Sequence, residues 1–184
     1  KVADLSYVYN AARQISSILK KGDTIILEST VPVGTTENLV KYLKNKNKKI
    51  NFELNNSDIN IIFSPERVLP GNIIHELMYN KRVVGVRDDK SKIVAKSFFN
   101  KMIKSEINFT TLKMAEMIKL SENTYRDINI AYANLLSLIC DEHKIDYKKL
   151  INFSNQHPRV NILQPGIGVG GHCIPIDPYF LAQS

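Results

Sequence analysis

Apolar positions fall into short alternating blocks up to about residue 110 and into one long run after it. In residues 6–20, Val8, Ala11, Ile15, Ile18 and Leu19 recur at helical spacing, and Lys20, Lys21 and Gly22 close the pattern as a C-cap does. Residues 25–27 form a short apolar run of the kind buried in a parallel strand. A Ser/Thr/Pro/Gly turn at 29–36 and an amphipathic stretch at 37–43 complete a strand, a turn and a helix. The order then repeats: a Lys/Asn-rich loop at 44–58, an apolar strand at 59–63, a turn at 64–71 and a short helix at 73–78. A third strand at 82–86 and a helix at 91–99 follow. Short buried strands alternating with helices predict right-handed βαβ units in an α/β, doubly wound, Rossmann-like parallel sheet.

Residues 112–140 contain neither Gly nor Pro, which predicts one helix far longer than the mean of about 12 residues. A second helix at 146–155 precedes a Pro/Gly-rich tail at 158–178. The change of pattern places a domain boundary near residue 110, with an α/β part at 1–110 and a helical part at 111–184. The chain has 184 residues, 43% of them hydrophobic, enough to bury a core without staples. Its net charge of +7 comes from lysines scattered among Asn and Ile, a solvated composition with no aromatic interleaving, so no nucleic-acid partner is expected. A phosphate-bearing metabolite is compatible with it. No apolar run approaches the roughly 18 residues of a membrane span, so no membrane partner is expected. The absence of a signal-peptide pattern and two cysteines without paired spacing point to a reducing, cytoplasmic setting. The first residue is Lys1 rather than Met, which suggests a piece of a longer protein.

Candidate chemistry concentrates in the tail. Gly166, Gly168 and Gly171 satisfy GxGxxG formally, but Pro165 precedes the run and Pro175 and Pro178 are expected to prevent a helix behind it. A dinucleotide fingerprint needs a strand before and a helix after, so the match is a decoy. The glycines do expose backbone N–H groups able to cradle an anion or oxyanion. Cys173 stands in this loop, poorly placed for packing and well placed to attack a carbonyl, as in a cysteine hydrolase among other enzymes. Cys140, in an apolar helix, reads as core. His172 is too close along the chain to be assumed the base of its neighbour and reads as turn-shaping.

On the long helix, Glu116, Lys119 and Asn123 share one face. Such a stripe is usually a solvated side; the alternative is a partly buried Lys119 suited to proton transfer or alkoxide stabilisation. Thr30 and Glu66 fall just beyond the first two strands, where open α/β sheets bind ligands, although turn formation alone also explains them. His75, His143 and His157 show no metal-ligand spacing, so no metal is expected.

Taken together, residues 28–37 (ESTVPVGTTE), 64–72 (SPERVLPGN), 115–134 (AEMIKLSENTYRDINIAYAN) and 157–180 (HPRVNILQPGIGVGGHCIPIDPYF) resemble the UDP-glucose/GDP-mannose dehydrogenase family, and within it the UDP-N-acetyl-D-mannosamine dehydrogenases. That resemblance implies two NAD-dependent hydride transfers that oxidise the C6 hydroxyl of a UDP-sugar to a carboxylate through an aldehyde and a cysteine thioester. It implies that Cys173 is the nucleophile, that Lys119 with Asn123 steadies the oxyanion, and that Asp177, Thr30 and Glu66 serve water activation and hydrolysis. It further implies NAD contacts from Thr30, Glu66 and Gly170, and substrate contacts from Arg67, Val68, Lys119, Asn123, Arg159 and Gly170. Arg159 is expected to act across the two-fold axis of a homodimer built on the helical part.

Two departures qualify the match. The family's opening strand and GxGxxG turn and its C-terminal nucleotide-binding domain have no counterpart here, so the chain resembles the C-terminal part of the NAD domain plus the central domain. Residues 1–184 alone are therefore not expected to reduce NAD. Arg67, Val68, Leu69 and Pro70 replace the pattern after Pro-Glu in UDP-glucose dehydrogenases, which argues for a UDP-N-acetylhexosamine, UDP-N-acetylmannosamine foremost. The competing readings are an acyl-transfer hydrolase using Cys173 without NAD, and a non-catalytic dimerisation module built on the long helix.

Overall fold

Helix α1 (Ser6–Ser16) packs Ala12 against α2 (Thr35–Lys46), which contributes Leu39, Val40 and Leu43 to the same apolar layer. The computed structural model of the chain describes residues 3–68, 71–171 and 173–184. They divide into two units, one holding residues up to 119 with 183–184, the other residues 120–182.

In the first unit the sheet runs in the order β1 (Thr24–Leu27), β2 (Asn60–Phe63), β3 (Arg82–Val86), β4 (Ile107–Thr111). Every residue of β2 is buried. Its alternation sends Ile61 and Phe63 into the α1/α2 layer, and Ile62 to the other face with Val84, Ala95 and Phe99. Helix α4 (Asp89–Phe99) covers that second face, its N-terminus capped by the Asp88 carboxylate, which accepts from Ser91 N–H at 2.7 Å.

The sheet departs from the all-parallel expectation. β1 pairs with β2 and β3 with β4 in parallel, but β3 runs antiparallel to β2. A parallel return needs a crossover element that packs along the sheet. Helix α3 (Ile73–Tyr79) has seven residues, none of them buried, and the chain returns beside β2 in the opposite sense. Strand β4 is a further addition: its short, half-buried pattern, flanked by Lys, Ser and Glu, carried no clear strand signal. Helix α1 also stops four residues before its expected end, where Ser16 Oγ donates back to the Arg13 carbonyl at 2.7 Å.

Helix α5 (Leu112–Glu142) follows β4 directly, and its first turn is seated on Gly85. A Cβ at Gly85 would lie 2.9 Å from the Ala115 Cβ and 3.0 Å from both the Leu112 Cα and the Thr111 carbonyl oxygen. Gly85→Ala is expected to destabilise the chain by about 1–3 kcal/mol through overpacking, read as a lower midpoint in denaturant unfolding. An unchanged midpoint would show that this contact does not constrain the helix.

In the second unit α5 continues past residue 120 and is followed by α6 (Tyr147–Ser154), whose N-cap Asp146 accepts from Lys148 and Lys149 N–H. The short α7 (Asp177–Ala182) closes the unit, against the expectation that prolines would block a helix there. Pro178 lies in its first turn, where a backbone N–H has no helical partner to lose. No helix among the described residues is long and apolar enough to cross a membrane.

Candidate active site

Leu27 and Phe63 are paired at the ends of two parallel strands, so the turns that follow them emerge at the same edge of the sheet. Thr30 and Glu66 each stand three residues beyond those paired ends, at the carboxyl edge where open α/β sheets receive ligands. Ser64 N–H donates to the Leu27 carbonyl at 2.9 Å and carries the pairing one step further. The Glu66 carboxylate turns back on its own loop, accepting from Arg67 N–H at 2.7 Å and Val68 N–H at 2.8 Å. Its second oxygen lies 3.9 Å from the Arg82 guanidinium, and the Arg67 guanidinium donates to the Lys81 carbonyl at 3.1 Å. Lys119, half-buried on α5, donates its amine to the Glu66 carbonyl at 2.7 Å.

The polar stripe of α5 is not a solvated side. Glu116 is 1% exposed and Asn123 7%, so both carry their polarity into packed surroundings and must find partners there. Glu116 accepts from Gly34 N–H at 2.6 Å, Thr36 N–H at 2.8 Å and the Thr36 hydroxyl at 2.6 Å. Those donors open α2, whose N-cap Gly34 has a left-handed φ of 89°. Sequence spacing marked Glu116 but not Thr36, since the pairing spans 80 residues.

In the second unit the two thiols differ sharply. Cys140 is 1% exposed in α5, while Cys173 is exposed in the glycine loop. The Cys173 carbonyl accepts from the N–H groups of Ile176 and Asp177, both at 2.9 Å, a turn that leads into α7. Asp177 is 3% exposed and accepts from the Asn123 side-chain amide at 2.5 Å. Gly168 and Gly171 hold φ of 155° and 95°, and a Cβ at Gly170 would meet nothing within 4 Å, so a ligand has room beside that backbone. Arg159 is exposed, with its own N–H donating to the His157 ring at 3.3 Å. His172, Leu69 and Pro70 lie outside the described residues.

Three asparagines that sequence reading did not single out hold the segment before the glycine loop. Asn129 donates to the Asn161 carbonyl and accepts from Leu163 N–H, both at 2.9 Å. Asn155 pairs with both backbone groups of Ile162, at 2.7 and 2.9 Å, and Asn134 accepts from Gly166 N–H at 2.8 Å. Residues 161–163 are thus bonded on both edges as a strand would be, by side chains in place of neighbouring strands. Among the described residues no group of three or more His, Cys, Asp and Glu is placed to hold a metal ion.

An exposed thiol in a glycine loop and a Thr/Glu/Lys group at a strand-end edge can be set against known proteins. Residues 1–103 match the NAD binding domain of the UDP-glucose/GDP-mannose dehydrogenase family, and residues 113–184 match its central domain. The chain belongs to the UDP-glucose/GDP-mannose dehydrogenase family. It is 49% identical over 183 residues to a UDP-N-acetyl-D-mannosamine dehydrogenase of Yersinia pestis, covering 98% of this chain and 44% of that relative. It is 46% identical over 187 residues to an NDP-N-acetyl-D-galactosaminuronic acid dehydrogenase of Ralstonia nicotianae, again covering 44% of the relative. The solved structure of a UDP-D-ManNAc dehydrogenase from Pyrococcus horikoshii superposes with a TM-score of 0.91 at 41% identity, covering 98% of this chain and 42% of that one. This member of the family therefore spans less than half the length of the relatives it matches.

Proposed function

We propose that the protein carrying this chain is a nucleotide-sugar 6-dehydrogenase that oxidises the C6 hydroxyl of a UDP-N-acetylhexosamine, UDP-N-acetylmannosamine foremost, to the uronate with two NAD. The observation that carries this reading is the contrast between an exposed Cys173 in an open glycine loop and a buried Cys140, inside a family whose relatives are named as dehydrogenases of N-acetylated nucleotide sugars. The overall change balances as one primary alcohol, two NAD and one water giving one carboxylate, two NADH and three protons. The Cys173 sulfur adds to the aldehyde carbon, and loss of a second hydride from that carbon leaves a thioester that water splits. Lys119 stabilises the alkoxide and moves the hydroxyl proton, while Asn123 and Asp177, hydrogen-bonded to each other, orient polar groups beside the thiol. Thr30 and Glu66 serve the hydrolysis, Arg67 and Val68 the sugar, and Gly170 leaves room for ligand backbone approach.

The residues at the sheet edge fit NAD by their chemistry. The Thr30 hydroxyl and the Glu66 carboxylate offer a donor and an acceptor suited to a ribose diol or a carboxamide, at the carboxyl ends of adjacent parallel strands. When bound, NAD supplies a hydride acceptor. That requirement stands against the acyl-transfer hydrolase, which needs none. The chemistry calls for a compartment holding NAD and nucleotide sugars, and the cytoplasm meets it.

The second part of the reading is a homodimer. Tyr125, Ile128, Tyr132, Leu135 and Ile139 lie 57%, 63%, 49%, 53% and 42% exposed along α5. Their alternating spacing of three and four is that of a helix–helix seam, which supports a second copy as the partner. The deciding experiment is stoichiometric. The whole protein, given UDP-N-acetylmannosamine, is expected to form two NADH per uronate. One NADH per released aldehyde, or no NADH with any UDP-sugar, would overturn the reading.

A further inference from the structure

Helix α5 reaches both strand-end turns of the first unit with two side chains one helical turn apart. Lys119 donates to the Glu66 carbonyl in the second turn, and Glu116 gathers three donors from the first. We infer that Glu116 is a positioning residue that holds the Thr30 turn in register with Lys119. The inference rests on the dehydrogenase reading for its kinetic consequence, while the register itself is a property of the fold.

A buried carboxylate is an expensive way to fasten a helix, because desolvation offsets much of what its hydrogen bonds return. Apolar packing of equal volume would hold α5 and α2 together as well or better. What apolar packing does not do is select one register. The Glu116 oxygens are satisfied only when Gly34 N–H, Thr36 N–H and the Thr36 hydroxyl all converge on them, at 2.6–2.8 Å, and the start of α2 adds its dipole to that preference. The segment leading from Thr30 into α2 has little freedom of its own. Thr35 bonds back to the Pro32 carbonyl through both its hydroxyl, at 2.6 Å, and its N–H, at 3.2 Å. Fixing Gly34 and Thr36 therefore fixes the turn that carries Thr30. At the other end, the close seat of α5 on Gly85 leaves Glu116 and Lys119 little play along the helix axis.

Glu116→Gln is the discriminating substitution. It keeps the shape but points an NH2 at a backbone N–H, whichever way the amide is turned. In the whole protein, turnover is read per folded molecule, counted as the molecules whose buried Cys140 stays unlabelled by iodoacetamide. We expect a loss of at least tenfold per folded molecule with unchanged KM, partial recovery in Glu116→Asp, and at least tenfold faster amide exchange in residues 30–36 with α4 unchanged. Thr36→Val, which removes one donor of three and keeps the fold's shape, moves both readings the same way by less. Wild-type turnover per folded molecule, a loss matched by the unfolded fraction alone, or unchanged exchange in both variants would overturn the inference. If the wild-type protein oxidises no nucleotide sugar, the dehydrogenase reading falls instead, and the exchange rates alone uphold or overturn the register.

Discussion

Cys173→Ser is expected to lower uronate formation by about a thousandfold or more in the whole protein. A serine hydroxyl at neutral pH is a far weaker nucleophile than a thiolate, so the acyl carrier of the second oxidation is lost. The same residue should be the one that alkylates first. Cys173 is exposed and Cys140 is 1% exposed, so iodoacetamide on the native protein should label the peptide containing Cys173 and leave Cys140 intact until unfolding. Preferential labelling of Cys140, or full uronate production by the serine variant, would remove the covalent step.

Mixing an Arg159→Ala subunit with a Cys173→Ala subunit is expected to restore activity that neither has alone. If Arg159 reaches the phosphates bound by its partner, each mixed dimer holds one intact site. Equal mixing with free exchange makes half the dimers mixed, so about a quarter of wild-type activity should return. A guanidinium fork suits phosphate better than an ammonium does, so Arg159→Lys should not substitute fully. Sedimentation as a monomer, or no recovery despite proven mixed dimers, would refute an arginine acting in trans.

The glycine loop shows how much the chain discloses unaided. Cys173 among glycines and Cys140 in an apolar helix are separated by local composition, because packing surface and backbone exposure are properties of neighbours in sequence. The long helix was equally legible, since 29 residues without Gly or Pro leave few alternatives. The placement of Thr30 and Glu66 after paired strand ends followed from counting positions beyond two apolar runs. Less was visible of the sheet. Nothing local distinguishes a strand that pairs parallel from one that pairs antiparallel, and the reversal of β3 is visible only in its pairing with β2.

Local pattern thus determined the strands and helices other than β4 and α7, which thiol is exposed, and which polar residues share a face of α5. The destination of those polar residues was decided by tertiary structure. Glu116 looked solvated because an amphipathic helix usually faces water with its polar side, yet its carboxylate is buried against donors 80 and 82 residues away. Asn123 meets Asp177 across 54 residues, and Asn129 meets Asn161 across 32. Periodicity reports which side of a helix a residue occupies. Whether that side meets water, a helix N-terminus or an extended segment depends on what the rest of the chain packs against it, and buried polar groups must be satisfied there wherever the partner lies in sequence.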